Sequence, residues 1–140
     1  MTISDIARTD VVTATRDQSA SALATLMKEE NVGSVVVETE GRPVGIVTDR
    51  DLALDVLEPR ADPDELTAGD VMTEHPTTVG EDDGVFEVTK AMFEAKVRRL
   101  PVVDDEGTLA GIVALDDFLV LFTDELNGLA GVVEAESPPY

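Results

Sequence analysis

Gly45-Ile46-Val47-Thr48-Asp49-Arg50-Asp51, GIVTDRD, returns 66 positions later as Gly111-Ile112-Val113-Ala114-Leu115-Asp116-Asp117, GIVALDD. Upstream the echo continues at an offset of 65. Asp5-Ile6 answers Asp70-Val71, Thr13 answers Thr78, Asp17 answers Asp82, Met27 answers Met92 and Val32 answers Val97. One extra residue in the second copy, near Asp104–Gly107, accounts for the change of offset. Two copies of a unit of about 60 residues therefore fill almost the whole chain. A unit of that size that cannot bury its own apolar face packs against its twin. The cleft between twins is a natural place for a ligand.

Each copy reads as β-α-β-β-α. Ser4 is an expected cap for a short turn through Ile6, and Val11–Thr13 is a β-branched strand. Ala20, Leu23, Ala24 and Met27 fall at i, i+3, i+4 and i+7, the apolar stripe of a helix. Val35–Val37 and Val44–Val47 are strands joined at Glu38–Arg42 around Gly41, and a helix runs from about Asp49 to Leu57. The stretch EPRADPDELT, 58–67, with two prolines and dense charge, is a connector. The second copy repeats the order. Thr77–Val79 is a strand, and Val85, Val88, Thr89 and Met92 form the helical stripe. Leu100–Val103 and Leu109–Val113 are strands, and Asp116 to about Leu126 is the last helix. The reading places a first unit at 1–57, a second at 68–127 and a weakly ordered tail at 128–140.

In strand order, helix phase, turn and the terminal G-I-V-x-x-x-D, all found twice, the chain resembles the CBS domain, over about residues 3–125. The matching segments begin VVTATRDQSASALATLMKEENVGSVVV and PTTVGEDDGVFEVTKAMFEAKVRRLPVV. The two copies together are similar to a CBS pair, or Bateman module, and to stand-alone pairs of salt-adapted archaea. The resemblance implies an α/β fold of two tandem units packed by pseudo-twofold symmetry.

It also implies a ligand site at Thr48-Asp49-Arg50-Asp51. There the aspartate holds the ribose hydroxyls of an adenosine-containing ligand, and the threonine faces ribose or phosphate. A carboxylate offers two acceptors to two adjacent hydroxyl donors. The bare motif reads equally as a capping box, with Thr48 capping a helix and Asp51 reaching back. Both roles fit one residue. In the second copy Asp117 keeps the ribose position, Ala114 replaces the threonine, and Asp116 is an available cap. Arg98-Arg99 is the only adjacent basic pair, opposite the small Gly33-Ser34 of the first copy. One of the two is expected to reach phosphate across the cleft; the rival is a local salt bridge to Asp104 or Glu94. Val12, Thr13, Ala14 and Val35 are the adenine-slot residues by family position, with Ile46 read rather as core. Met27, Met92, Phe86 and Phe93 read as core or dimer interface, and His75 as a turn residue.

Composition narrows the classes. The net charge is −20, from 30 acidic and 10 basic residues, with the acids spread along the chain. Such a surface is wrong for nucleic-acid phosphates and matches proteins of high-salt cytoplasm, where screening suppresses self-repulsion. With no cysteine and one histidine, a thiolate or histidine metal site is not expected. No apolar run approaches a membrane span and no leader is visible, so a cytoplasmic protein is expected. Nucleophile elbow, Walker loop and dinucleotide fingerprint are all absent, so no enzyme is expected.

The function expected is a stand-alone regulatory module. It binds AMP, ADP, ATP or S-adenosylmethionine, without a tightly bound cofactor, and signals as a homodimer to an unidentified protein effector. The helices carrying Met27 and Met92, or the terminal ones with Phe118 and Phe122, would supply the dimer interface. The rivals are a ligand-free interaction module and a cation-linked regulator using acids such as Glu81-Asp82-Asp83.

Overall fold

A computed structural model describes residues 1–136. The first unit contains β1 (Thr13–Ala14), α1 (Ala20–Glu30), β2 (Ser34–Thr39), β3 (Arg42–Thr48) and α2 (Asp49–Leu52), which runs on as a π-helical turn, Ala53–Leu57. Then come α3 (Ala68–Val71) and β4 (Thr73–Glu74). The second unit contains β5 (Val79–Gly80), α4 (Val85–Ala95), β6 (Arg99–Val103), β7 (Leu109–Ala114) and α5 (Leu115–Glu136). In each unit the leading strand pairs parallel to the next, which pairs antiparallel to the third.

The helical stripes pack as expected. Ala20, Leu23 and Met27 of α1 are buried, as are Val85, Val88 and Met92 of α4. Ala24 is exposed and Thr89 half-buried, since both sit at the edge of the buried arc. Ser19 caps α1, its hydroxyl accepting the Ala22 N–H at 3.1 Å. Asn31 and Lys96 end the two helices in the left-handed conformation, at φ 53° and 56°.

Several local expectations are corrected. The N-terminal turn is capped at Thr2, not Ser4: the Thr2 N–H donates to the Asp5 carboxylate at 2.8 Å. The leading strands begin later than their β-branched runs, because their ladder partners start only at Val36 and Val102. α5 does not stop near Leu126. It continues to Glu136 through Leu129, Val132 and Val133, good helix formers and apolar residues at helical spacing that outweigh Gly128 and Gly131. The expected weakly ordered tail is thus helical over 128–136; its last four residues lie outside the described residues.

The two units exchange their leading segments. Ile3 lies fully buried in the second core, with Val79, Val88, Leu100 and Phe118. The Ile3 N–H donates to the Asp83 carbonyl at 2.9 Å. Reciprocally, Ala68, Val71 and Met72 join the first core, with Leu23, Val35 and Val47, and β4 pairs with β3. The counterpart of that pairing is the bridge between Arg8 and Ile112.

This exchange explains the glycines that open the two echoes. A Cβ on Gly45 would lie 2.3 Å from the Met72 sulfur, and one on Gly111 would lie 2.7 Å from the Arg8 carbonyl. Only hydrogen at these positions lets the partner segment cross the strand. At the entry to α3, the Thr67 N–H binds the Asp70 carboxylate at 2.9 Å. That N–H, and then the Thr67 side chain, hold Asp70 below the usual carboxylate range.

Candidate functional site: two opposed clefts

Where β3 ends, the chain turns at once into α2. The Thr48 hydroxyl accepts the Asp51 N–H at 3.2 Å, and the Asp51 Oδ2 accepts the Thr48 N–H at 2.8 Å. The capping box expected from Thr-x-x-Asp is therefore formed. The Asp51 Oδ1 has no protein partner among the described residues. In the second copy the Asp117 Oδ2 accepts the Ala114 N–H at 2.9 Å, so Asp117, not Asp116, closes that turn. The geometry prefers it because a residue three positions on reaches back to the N–H, as Asp51 does. The Asp117 Oδ1 faces Arg8 Nη2 at 3.3 Å.

Each motif opens on its own cleft between the units. The Asp51 cleft, of about 760 Å³, holds Thr48, Asp49, Arg50 and Asp51 against His75-Pro76-Thr77 and Lys96 to Pro101 of the second copy. The Asp117 cleft, of about 520 Å³, holds Ala114, Asp116 and Asp117 against Asp10 to Val12 and Glu30 to Ser34 of the first copy. The two linings correspond through the internal repeat. Both volumes fall in the range of about 300–1,000 Å³ usual for small-molecule sites.

The clefts differ in charge. The Asp51 cleft carries Arg50, Lys96, Arg98 and Arg99 against Asp49 and Asp51. The Asp117 cleft carries Arg8 and Arg99 against Asp10, Glu30, Asp116 and Asp117. In a chain of net −20, the first is a local concentration of cationic groups.

The arginine pair separates into two roles. Arg98 is exposed and pairs with Asp116 at 3.9 Å, rather than with Asp104 or Glu94. With side chains 73% and 76% exposed, that pair contributes little. Arg99 is half-buried at the start of β6 and lines both clefts. Its Nη2 lies 3.0 Å from where a Gly33 Cβ would stand, with the Asp49 carboxylate 3.3 Å from the same point. The missing side chain of Gly33 is the room that Arg99 occupies as it reaches the other copy.

The expected adenine-slot residues divide. Val12 lies in the Asp117 cleft, apart from Thr48 and Asp51. Ala14 and Val35 are buried in the first core. With Thr13, which pairs in β1, they line neither cleft. Ile46, read as core, lines the Asp51 cleft. His75, expected only as a turn residue, faces Asp51, and so do Pro76, Thr77, Lys96 and Pro101, which carry no motif of their own. The repeat offset was the available signal: Val11 and Val12 map onto Pro76 and Thr77. Met27, Met92 and Phe118 are buried in the cores, whereas Phe86 and Phe93, on the same helix as Met92, are 78% and 83% exposed.

Among the described residues, no group of three or more acidic or histidine side chains is arranged to hold a metal ion, and no helix is long and apolar enough to cross a membrane.

Two α/β units that exchange their leading segments, with a cleft at each strand-to-helix junction, define a tandem-repeat module. The profile of the CBS domain matches residues 3–58 and again 68–124, and the chain belongs to the CBS-domain family. It is 42% identical over 120 residues to the protein MK0525 of Methanopyrus kandleri, across 85% of this chain and 61% of that protein's length. It thus spans less than two thirds of that relative. The CBS domain pair of protein MJ0100, solved with 5′-methylthioadenosine and S-adenosyl-L-methionine, superposes with a TM-score of 0.80 at 28% identity, over 89% of this chain and 98% of that one. The CBS domain protein PAE2072 from Pyrobaculum aerophilum, solved with AMP, gives 0.77 at 26% identity, over 84% of this chain and 89% of that one.

Proposed function

We propose that this chain is a regulatory module that takes up an adenosine-containing ligand in the Asp51 cleft and passes its occupancy to a partner protein. The free Oδ1 of Asp51 beside a cationic cleft carries the reading. Asp51 is already oriented by the Thr48 N–H, so binding a ribose requires no rearrangement of the carboxylate. Arg99, with Arg98, Lys96 and Arg50 nearby, meets the phosphate end. The apolar lining of Ile46 and Pro101 gives the base a surface to rest on. The likeness to pairs solved with AMP and with S-adenosyl-L-methionine supports an adenosine ligand.

Because each cleft is walled by both units, a ligand that prefers one mutual angle shifts the population toward it. The exposed Phe86 and Phe93, with Leu119 and Leu126 of α5, are the surface on which we place pairing with a second copy. The acidic surface fits a cytoplasm of concentrated salt.

Thermal denaturation with AMP, ADP, ATP, S-adenosylmethionine and a guanine nucleotide, in dilute and molar KCl, tests the reading. A ligand at about 100 times its dissociation constant adds about 2.7 kcal/mol, several degrees in Tm. We expect a shift from an adenosine ligand and none from the guanine nucleotide, with the bare protein most stable in molar KCl. In Asp51→Ala the ligand shift disappears, and loss of the cap lowers the ligand-free Tm by the equivalent of about 1 kcal/mol. No shift with any adenosine ligand overturns the reading and leaves an interaction module whose motif serves only to cap α2.

A further inference from the structure

The two clefts are lined by corresponding positions but are opposite in charge, and the internal repeat shows how the difference arose position by position. Lys96 of the Asp51 cleft corresponds to Asn31 of the Asp117 cleft. Arg98 corresponds to Gly33, Arg50 to Asp116, Ala95 to Glu30 and His75 to Asp10. All five exchanges make the second cleft more negative, and together they outweigh the two that act the other way, Thr73 to Arg8 and Asp49 to Leu115. Its motif also lacks the hydroxyl of Thr48, since Ala114 stands there. Of its two cations, Arg8 is engaged with Asp117 at 3.3 Å, and Arg99 is shared with the other cleft. A phosphate placed here would meet carboxylates on both walls. A ribose would meet the same oriented aspartate as in the first cleft, once the Arg8 side chain, 66% exposed, swings aside.

We propose that the Asp117 cleft is a second nucleoside site that rejects phosphate and takes an adenosine whose 5′ substituent is uncharged or cationic, while the Asp51 cleft takes the phosphorylated ligand. The chain would then compare two classes of adenosine compound, one per cleft. This rests on the reading of the Asp51 cleft as an adenosine site. It adds a division of ligands that the acidic residues of this chain impose.

Titration calorimetry of ATP and of uncharged 5′-methylthioadenosine into the full chain tests it, with Asp51→Asn and Asp117→Asn in parallel. Asparagine keeps an oxygen to accept the Thr48 or Ala114 N–H, so the turns survive, and a Tm for each variant confirms folding. The expected result is one ATP per chain, with affinity reduced about 10- to 100-fold by Asp51→Asn and little changed by Asp117→Asn. That range corresponds to losing a hydrogen bond to a charged group. Methylthioadenosine binding should fall by the same order in Asp117→Asn and persist in Asp51→Asn. The double variant Asp10→Lys/Glu30→Lys, which reverses the charge of the Asp117 cleft without touching its motif, should admit a second ATP.

Two ATP molecules bound by the unaltered chain would overturn the division of ligands while leaving the adenosine reading intact. So would methylthioadenosine binding that is indifferent to Asp117→Asn. If neither compound binds the unaltered chain, the division of ligands is overturned; if AMP, ADP and S-adenosylmethionine fail as well, the adenosine reading itself fails.

Discussion

Phe118→Ala is expected to lower the unfolding free energy by about 3–5 kcal/mol, the usual cost of emptying a buried aromatic site. Phe118 is 1% exposed and among the largest fully buried side chains of the molecule. It stands one residue past Asp117, on the first turn of α5, and fills the second core against Ile3, Val88 and Leu100. Its ring lies 6.2 Å from that of Phe122, which in turn stacks on Phe86 at 6.2 Å. The core cannot collapse into the space, because Ile3 is held by its backbone bond to Asp83 and Val113 and Leu100 are paired in the sheet. For a domain of this length the loss amounts to about 10–20 °C in Tm, readable by calorimetry. Phe118→Leu, which conserves most of the volume, should cost far less. A loss below about 1 kcal/mol for the alanine variant would show that this core is not closed around Phe118.

The second large effect is expected at Gly111. A Cβ there would stand 2.7 Å from the Arg8 carbonyl oxygen and 3.4 Å from the Ala7 Cβ. The neighbour is backbone, and it is pinned by two 2.9 Å hydrogen bonds between Arg8 and Ile112. Gly111→Val cannot be accommodated by a rotamer change. The N-terminal segment must lift, exposing Ile3, which is otherwise fully buried. Overpacking of about 1–3 kcal/mol, with part of the burial of Ile3, gives an expected cost of about 2–4 kcal/mol. Hydrogen exchange should accelerate at the Arg8 and Ile112 amides before elsewhere. Gly128 supplies the control. Nothing lies within 4 Å of a Cβ there, so Gly128→Ala should stabilise α5 by about 0.5–1 kcal/mol. Equal losses at the two glycines would refute the crossing as the reason for Gly111.

Both effects bear on function through the same element. The segment crossing Gly111 also delivers Arg8 to Asp117, and its counterpart crossing Gly45 delivers His75-Pro76-Thr77 to the Asp51 cleft. Segment exchange thus builds each cleft from two units, the arrangement on which the proposed regulation depends.

The amino-acid sequence by itself determined the repeat, the order of elements in each copy and the phase of α1 and α4. These depend on local periodicity and on residues three or four apart. It determined the turn at Thr48–Asp51 for the same reason: an aspartate reaching back three residues needs no distant partner; the same rule closes Ala114–Asp117, where Asp116 had stood as the candidate cap. The length of α5 was also encoded locally, in the spacing of Leu126, Leu129 and Val133, but glycines and a polar end obscured it. Only the tertiary structure decided which residues face which cleft. Val12 is near neither Asp51 nor Asp117 in the chain, and its assignment follows from the exchange of leading segments. It likewise decided that Arg99 rather than Arg98 spans the units, because the choice depends on the vacancy at Gly33, 66 positions away. The charge contrast between the clefts is written in the sequence residue by residue. It becomes a property only when folding gathers those residues into two separate spaces.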